Sequence, residues 1–496
     1  MWSTPEISDL VNQVLSSAPF LFKEYFLAAS LLISILLDLF VGKKTTFFFS
    51  AFALIGCGVW GLLDNNSTAS IFNGNVLITP PGIFVNALLD IFSGIILLLA
   101  FADKDLEANS QGMGELAALI IAATIGAHFV VFGSSLLMIF VGLELMSLPS
   151  YVMVAYRVRK VDPAESSIKY ALFGLFSTGI MIYGMSWLYG LTGTLNVFSE
   201  AFIAGLTNAP STLSIFALTL TLAGFAFKIS AVPFHFWTPD AYEGSSGPVA
   251  AWLAIVPKLA GLWLIYSFMN IFYLKTDAGE FFWPVINWKL VWGIIGAVTL
   301  TFGNLMALRQ SNFRRLMGYS SIAHTGFLLF GIAIMDPQIV LFYSISYGVL
   351  TVGAFSIGIF IQNKLGLEYI TQYGGLGKKW PIMGLCSIVI MIGFVGLPPT
   401  GGFVAKMLVY SSLWVNYLTG DSWNLLWLIV AVINTLISLV YYLKIPYYLF
   451  IKEAGDKMFH PKLSNVTSMV TLFFAVLSIY IGLFPERLSQ FISSLF

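Results

Sequence analysis

GFAFKISAVPFHFWTPDAYEGSSGPVAAWLAIVPK, residues 224–258, decides how the rest of the chain is read. It lies among apolar segments, yet it carries Lys228, Lys258, His235 and four prolines. A charged side chain at the centre of a bilayer costs about 2.5–3.5 kcal/mol on insertion scales. Prolines inside a spanning segment free backbone groups that lipid cannot satisfy. A membrane segment that carries both burdens points to the movement of something charged.

The surrounding composition places that segment in a membrane. Of 496 residues, 58% are hydrophobic and 10% are charged, with a mean hydropathy of +0.88. Soluble chains carry about 25% charged residues. The expected fold class is therefore an all-α polytopic membrane protein. The formal net charge is zero, which matters less than where the charges fall. Cys57 and Cys386 stand far apart in apolar runs, with no CxxC motif or Cys/His cluster, so neither a structural zinc nor an iron–sulfur centre is expected. The start, MWSTPEISDLVNQ, has no basic region or small-residue cleavage site, and no removable signal is expected. GGLGKKW at 374–380 lacks the spacing of a phosphate loop and follows no strand. No nucleic-acid-binding pattern is present, and tyrosines and tryptophans near span ends read as interfacial anchors.

Apolar stretches of about 17–25 residues predict fourteen spans, at 25–41, 46–63, 81–102, 114–132, 134–156, 167–190, 212–236, 248–273, 288–308, 317–335, 338–362, 381–415, 422–451 and 466–486. The twelfth is long and interrupted by LPPTGG. Alternate loops hold Lys43/Lys44, Lys104, Arg157/Arg159/Lys160, Arg309/Arg314/Arg315, Lys364/Lys378/Lys379 and Lys452/Lys457/Lys462, with Lys169 at the mouth of the sixth span. The other loops and termini hold only Lys23, Lys275, Lys289 and Arg487. That bias predicts cytoplasmic basic loops and both termini outside. Lys228, Lys258, Lys406 and Lys444 fall inside spans.

A faint internal repeat is also present. GFAFK ends at Lys228 and GFVAK at Lys406, 178 residues later. The same offset carries Glu144 to position 322, beside His324, and the start of the fourth span to that of the ninth. Five helices is an odd number, so spans 4–8 and 9–13 would be inverted repeats, each with a broken helix, as in many transporters. The expected divisions are 1–110, 111–275, 286–452 and 463–496.

Each buried charge has a structural reading beside a functional one. Lys228 could snorkel, but it lies deep in its span with Ile229, Ala231, Val232 and Pro233 following. Burial disfavours its charged form, which suits a group that gains and loses a proton. Glu144 in LLMIFVGLELMSLPS needs a partner to stay ionised, and pairing with Lys228 would make a proton switch. Lys258 and Lys406 have no soluble-face explanation and join as relay candidates, against structural pairing. His324 could be a satisfied core histidine, but its position beside the repeat image of Glu144 favours a relay role. His235 in PFHFW is an even choice between the two. His128 and His460 read as structural. Lys169 and Glu165, four apart, form either a surface ion pair or an inlet for protons. Asp38, Asp90 and Lys444 are intramembrane with partners that cannot be named. Asp240 and Glu243 read as fixing the WTPDAYEG turn or a neighbouring subunit.

FKISAVPFHFWTPDAYEG at 227–244 resembles the antiporter-like membrane subunits of respiratory complex I, NADH-quinone oxidoreductase, and within them the subunit N branch and its plastid relatives. VGLELMSLPSYVMVAY, AESSIKYALFG, YSSIAHTGFLL and GLPPTGGFVAK extend the likeness over about residues 80–450. GSSGPVAAWLAIVPK departs from the usual turn before Lys258 but keeps the lysine. The resemblance implies that Glu144 and Lys228 are a channel's glutamate–lysine pair, Lys258 and His324 its connecting relay, and Lys406 its exit-side residue. Lysine at 406 agrees with subunit N against subunit M, and the end at Phe496 lacks the lateral helix expected of subunit L. It also implies no cofactor on this chain, with NAD, FMN, iron–sulfur clusters and quinone held by partner subunits. The partners would be other membrane subunits, including other antiporter-like ones, in a bacterial inner membrane. A cation/proton antiporter subunit without redox chemistry is the alternative. A lipid-embedded scaffold, its charges only joining helices, is the third reading.

Overall fold

The computed structural model describes residues 11–12, 14–64, 68–107, 113–156, 161–273, 283–453 and 465–496. Arg157, Arg159, Lys160, Lys275, Lys457, His460 and Lys462 lie outside them. Among the described residues, thirteen helices are long and apolar enough to cross a membrane. The twelfth expected span, 381–415, is instead two shorter helices, Pro381–Val395 and Gly401–Leu418. In chain order the principal helices are α1 (Phe22–Phe40), α2 (Lys43–Leu63), α3 (Pro80–Phe101), α4 (Met113–Phe132), α5 (Leu136–Val154), α6 (Val161–Thr192), α7 (Ser211–Lys228) and α8 (Trp237–Gly244). They continue with α9 (Gly247–Asn270), α10 (Trp288–Leu308), α11 (Phe313–Ala333), α12 (Pro337–Leu365), α13 (Pro381–Val395), α14 (Gly401–Leu418), α15 (Trp423–Phe450) and α16 (Asn465–Leu483). A small hairpin, Ala69–Ile71 with Val76–Ile78, lies between α2 and α3.

Hydrogen bonds between distant loops fix which ends share a face. Asn363 at the end of α12 bonds Lys104 N and Ala102 O after α3, and Gln362 donates to Asp105. Arg314 at the start of α11 joins the same group through Gln362 and Glu368. This is the basic face. At the opposite face Tyr273 bonds the Ala333 carbonyl and Lys289 pairs with Asp421.

The pattern of burial is that of a protein in lipid. α9, α11 and α12 are buried along almost their whole lengths, whereas α6, α15 and α16 turn much of theirs outward. The outward residues are themselves apolar, among them Leu172, Phe176, Leu436 and Val440. With no water to bond free backbone groups, such a chain must satisfy them internally.

Two places test that requirement. The seventh span, expected to run to 236, stops being helical at Lys228. Ser230 then takes a positive φ of 61°, a left-handed conformation that costs a residue with a Cβ about 1–2 kcal/mol. The freed groups find partners: Trp237 Nε1 donates to the Phe227 carbonyl, Val232 N to Thr299 Oγ1, and Thr325 Oγ1 to the Ile229 carbonyl. Thr238 Oγ1 donates to Ser230 Oγ. The expected turn WTPDAYEG is thus the short helix α8, which returns the chain to the start of α9.

The second break separates α13 from α14 at Gly396–Thr400. Gly396 ends α13 with φ 85°, and Leu397 N and Thr400 Oγ1 close the turn onto the Ile392 and Leu397 carbonyls. Gly402 lies directly on the Gly393 carbonyl oxygen, where a Cβ has no room. Gly402→Ala is therefore expected to destabilise the protein by about 1–3 kcal/mol, read as a lower midpoint of thermal unfolding in detergent. Lys228 precedes the first break, whereas Lys406 follows the second. The 178-residue echo thus relates the two motifs in sequence, but not in their place relative to the breaks.

Candidate functional site

The buried charges gather around α11. Lys228, the last residue of α7, is 5% exposed, and its Nζ has no hydrogen-bond partner. It lies 5.7 Å from the ring centroid of Tyr151 on α5, within the range at which an aromatic face attracts a cation. Tyr151 abuts Tyr170, which stacks on Trp237 at 4.3 Å. This aromatic wall is anchored to the broken end of α7 by the indole bond to Phe227. Gly261 of α9 faces the base of the Lys228 side chain and leaves room for it.

Glu144, half-buried on α5, makes no ion pair with Lys228. Its Oε1 accepts from Thr178 Oγ1 of α6 at 2.8 Å. Tyr151 lies seven residues beyond Glu144, on the same helical face, and it is the ring of Tyr151 that faces the lysine.

Lys258 projects from α9, next to Pro257, which cannot donate to the Leu253 carbonyl one turn back. Its Nζ donates to Thr325 Oγ1 of α11 at 3.4 Å. The Thr325 hydroxyl has one proton to give and two carbonyls within 3.0 Å, Ile229 at the first break and Ser321 one turn back on α11. Thr325 thus joins Lys258 to the backbone freed beside Lys228. Thr325→Val keeps the shape and removes the hydroxyl. It is expected to lower stability by about 1 kcal/mol, read as a lower midpoint of thermal unfolding in detergent, with Thr325→Ser restoring it.

The adjacent His324 faces the other half of the protein. Its Nδ1 is 2.8 Å from Tyr343 OH of α12 and its Nε2 3.0 Å from Tyr442 OH of α15. Tyr442 also bonds Ser320 Oγ and stacks on Phe394 at 5.1 Å. Lys406, on α14, donates to the Val395 carbonyl at the end of α13 at 2.8 Å and lies 5.0 Å from the Phe327 ring centroid. Each break therefore has a buried lysine beside it, with α11 in between.

The other singled-out residues lie elsewhere. His235 is buried against Phe236 and Phe302, with Nδ1 unpartnered, so no hydrogen bond through Nδ1 ties it to Lys228, Lys258 or His324. Lys169 pairs with Glu165 at 2.7 Å and Asp240 at 3.5 Å, exposed at the basic face. Arg315 ties Asp240 and Glu243 to the start of α11 at 2.8 and 2.6 Å. Lys444 donates to the Gln310 carbonyl beyond α10 at 2.9 Å. His128 is a satisfied core histidine, but its partners are two buried carboxylates, Glu24 and Asp90. Thr325, Tyr343 and Tyr442 were not singled out in the sequence. Thr325 adjoins His324, whereas the Tyr441–Tyr442 pair is fully buried and not interfacial.

Among the described residues, no group of three or more His, Cys, Asp or Glu side chains is arranged to hold a metal. A cavity of about 440 Å³ opens at the opposite face beside Trp288 and Lys289, and Lys228, Lys258, His324 and Lys406 do not line it.

A family model described as NADH:quinone oxidoreductase/Mrp antiporter, transmembrane, matches residues 133–438. This chain belongs to that family. NADH-quinone oxidoreductase subunit N of Chlorobium chlorochromatii is 34% identical over 99% of this chain and 96% of its own. This bears out the resemblance to the subunit N branch. A chain of respiratory complex I from Thermus thermophilus matches with a TM-score of 0.76 at 25% identity, covering 95% of this chain and 99% of its own. A chain of the Mrp complex from Dietzia sp. matches at 0.79 with 19% identity, covering 95% and 96%. The antiporter-family fold is therefore shared by assemblies of both kinds. Sequence identity, not shape, separates the subunit N relatives from the rest.

Proposed function

We propose that this chain is the proton-translocating membrane subunit of an NADH-quinone oxidoreductase, a translocase subunit that carries no redox centre itself. The observation that carries the reading is the set Lys228, Lys258, His324 and Lys406, all buried around α11 and flanked by two broken helices. A buried ammonium without a counter-charge is costly, so an opposing charge that approaches and withdraws would favour and then disfavour the cation at each lysine.

The proposed cycle uses that cost. Glu144 moving from Thr178 toward Lys228 stabilises the ammonium and loads a proton. Its withdrawal releases the proton toward Lys258, which Thr325 holds beside the first break. From there His324, held between two tyrosine hydroxyls, passes it toward Lys406, which releases it beyond the second break. Lys169 and His235 have at most a peripheral part, at the basic face and beside the first break.

On this reading NAD, FMN, iron–sulfur clusters and quinone are held by partner subunits, and other antiporter-like subunits adjoin the exposed apolar faces. The membrane is the bacterial inner membrane, with the basic face cytoplasmic and both termini outside. Residues 111–275 and 286–452 are the two inverted units, flanked by 1–110 and 463–496. A subunit of a cation/proton antiporter is the alternative on the same fold. Co-purification separates the two: the redox assembly brings flavin and iron–sulfur absorbance and acidifies vesicles on adding NADH. A complex lacking both absorbances would sink the redox reading.

A further inference from the structure

The N-terminal helices hold a second group of buried ionisable side chains, which the relay does not use. Glu24 from α1, Asp90 from α3 and His128 from α4 are each no more than 5% exposed. Glu24 Oε1 lies 2.9 Å from Nδ1 of the imidazole and Asp90 Oδ1 lies 3.1 Å from Nε2. An imidazolium between two ionised carboxylates leaves one net negative charge in an apolar interior, which is expensive to bury. One further proton, on either carboxylate, makes the group neutral. Lys23 does not supply the missing positive charge, because its Nζ is 2.5 Å from Asp64. Cys57 of α2 faces Asp90 and adds only a thiol.

The group has one open side. A cavity of about 10 Å³, lined by all three residues and Asn86, is just large enough for one water. Asn86 is 4% exposed, yet its Oδ1 and Nδ2 have no hydrogen-bond partner. A buried amide left so is unfavourable by about 1–3 kcal/mol, and a water in that cavity relieves it. Phe20 and Lys23 line the cavity too, toward the face opposite the basic loops. Further into the bundle the polar groups are already paired. Ser93 and Thr124 bond each other at 2.9 Å, and Ser93 accepts from Trp252 of α9 at 3.1 Å.

We infer that Glu24, Asp90 and His128 form a second proton-holding site, separate from the Lys228–Lys406 relay, that exchanges one proton through the Asn86 cavity with the face opposite the basic loops. The step is the transfer of a proton from water to a carboxylate oxygen and its return. A proton suits the geometry better than a metal cation. The carboxylates sit at opposite edges of the imidazole, and the three groups do not converge on one ion.

Infrared difference spectra of the whole complex across pH steps test this without NADH or quinone, and so independently of the redox reading. A protonated-carboxyl band is expected near neutral pH that is altered in both Glu24→Gln and Asp90→Asn and unchanged in Lys228→Ala. Its exchange in D₂O is expected to slow at least about tenfold in Asn86→Leu, which fills the cavity. If both carboxyl variants keep the parent spectrum, the three residues are a permanently ionised structural tie and the inference fails. Loss of the band on adding sodium chloride at fixed pH, but not choline chloride, would make the site a cation site and also overturn it. That arm uses the unmodified complex and remains decisive should a variant not assemble.

Discussion

Lys228→Ala is expected to leave the chain assembled with its partners and to lower NADH-driven proton translocation in sealed vesicles by at least about tenfold. Loss of a positioned proton-transfer group commonly costs about 10²–10⁴-fold. The structure explains why assembly should survive. Lys228 Nζ makes no hydrogen bond, so truncation leaves no donor or acceptor orphaned. Lys228→Met, which conserves volume, should behave the same way and rule out an effect of the cavity. Glu144→Ala is expected to follow Lys228→Ala in direction. A scaffold role predicts the reverse, with assembly disturbed and translocation intact wherever the complex forms. Vesicle acidification beside a count of co-purified subunits distinguishes the two.

Lys406→Met is expected to lower translocation equally and, unlike Lys228→Met, to destabilise the subunit as well. Lys406 holds the Val395 carbonyl at 2.8 Å, and a buried acceptor left alone costs about 1–3 kcal/mol. The two lysines should therefore separate in a thermal melt while agreeing in transport. Lys444→Met is the control. Its bond is to the Gln310 carbonyl in the loop that leads into α11, beside neither break, and translocation is expected to stay within about twofold of the parent. Equal loss in the Lys406 and Lys444 variants would count against a relay confined to the region around α11.

Much of this was legible in the sequence because hydropathy runs along the chain. The ninth span was expected at 288–308, and α10 is Trp288–Leu308. The interrupted twelfth span is likewise two helices divided at LPPTGG. What could not be read was which side chains meet, because that depends on how each helix is turned about its axis. Whether Glu144 touches Lys228 was one such question, and in the structure Thr178 on α6 bonds the glutamate. Glu24 fell one residue outside the first expected span, while the helix begins at Phe22 and buries it. The Glu24–His128–Asp90 group was therefore missed, although two of its members lay inside expected spans. Tyr442 was hidden by the habit of tyrosines to mark span ends.

The Thr325 hydroxyl has a mechanical consequence. At 3.4 Å, its contact with Lys258 is already longer than the ordinary 2.7–3.2 Å range for such a bond. One residue's rise along a helix is about 1.5 Å, so a slide of α11 against α9 by that much uncouples the lysine from the broken end of α7. The same hydroxyl can then rest on the Ser321 carbonyl within α11 and leave no dangling donor. Thr325 would thus act as a clutch, engaged or released by a slide of α11 of about one residue's rise.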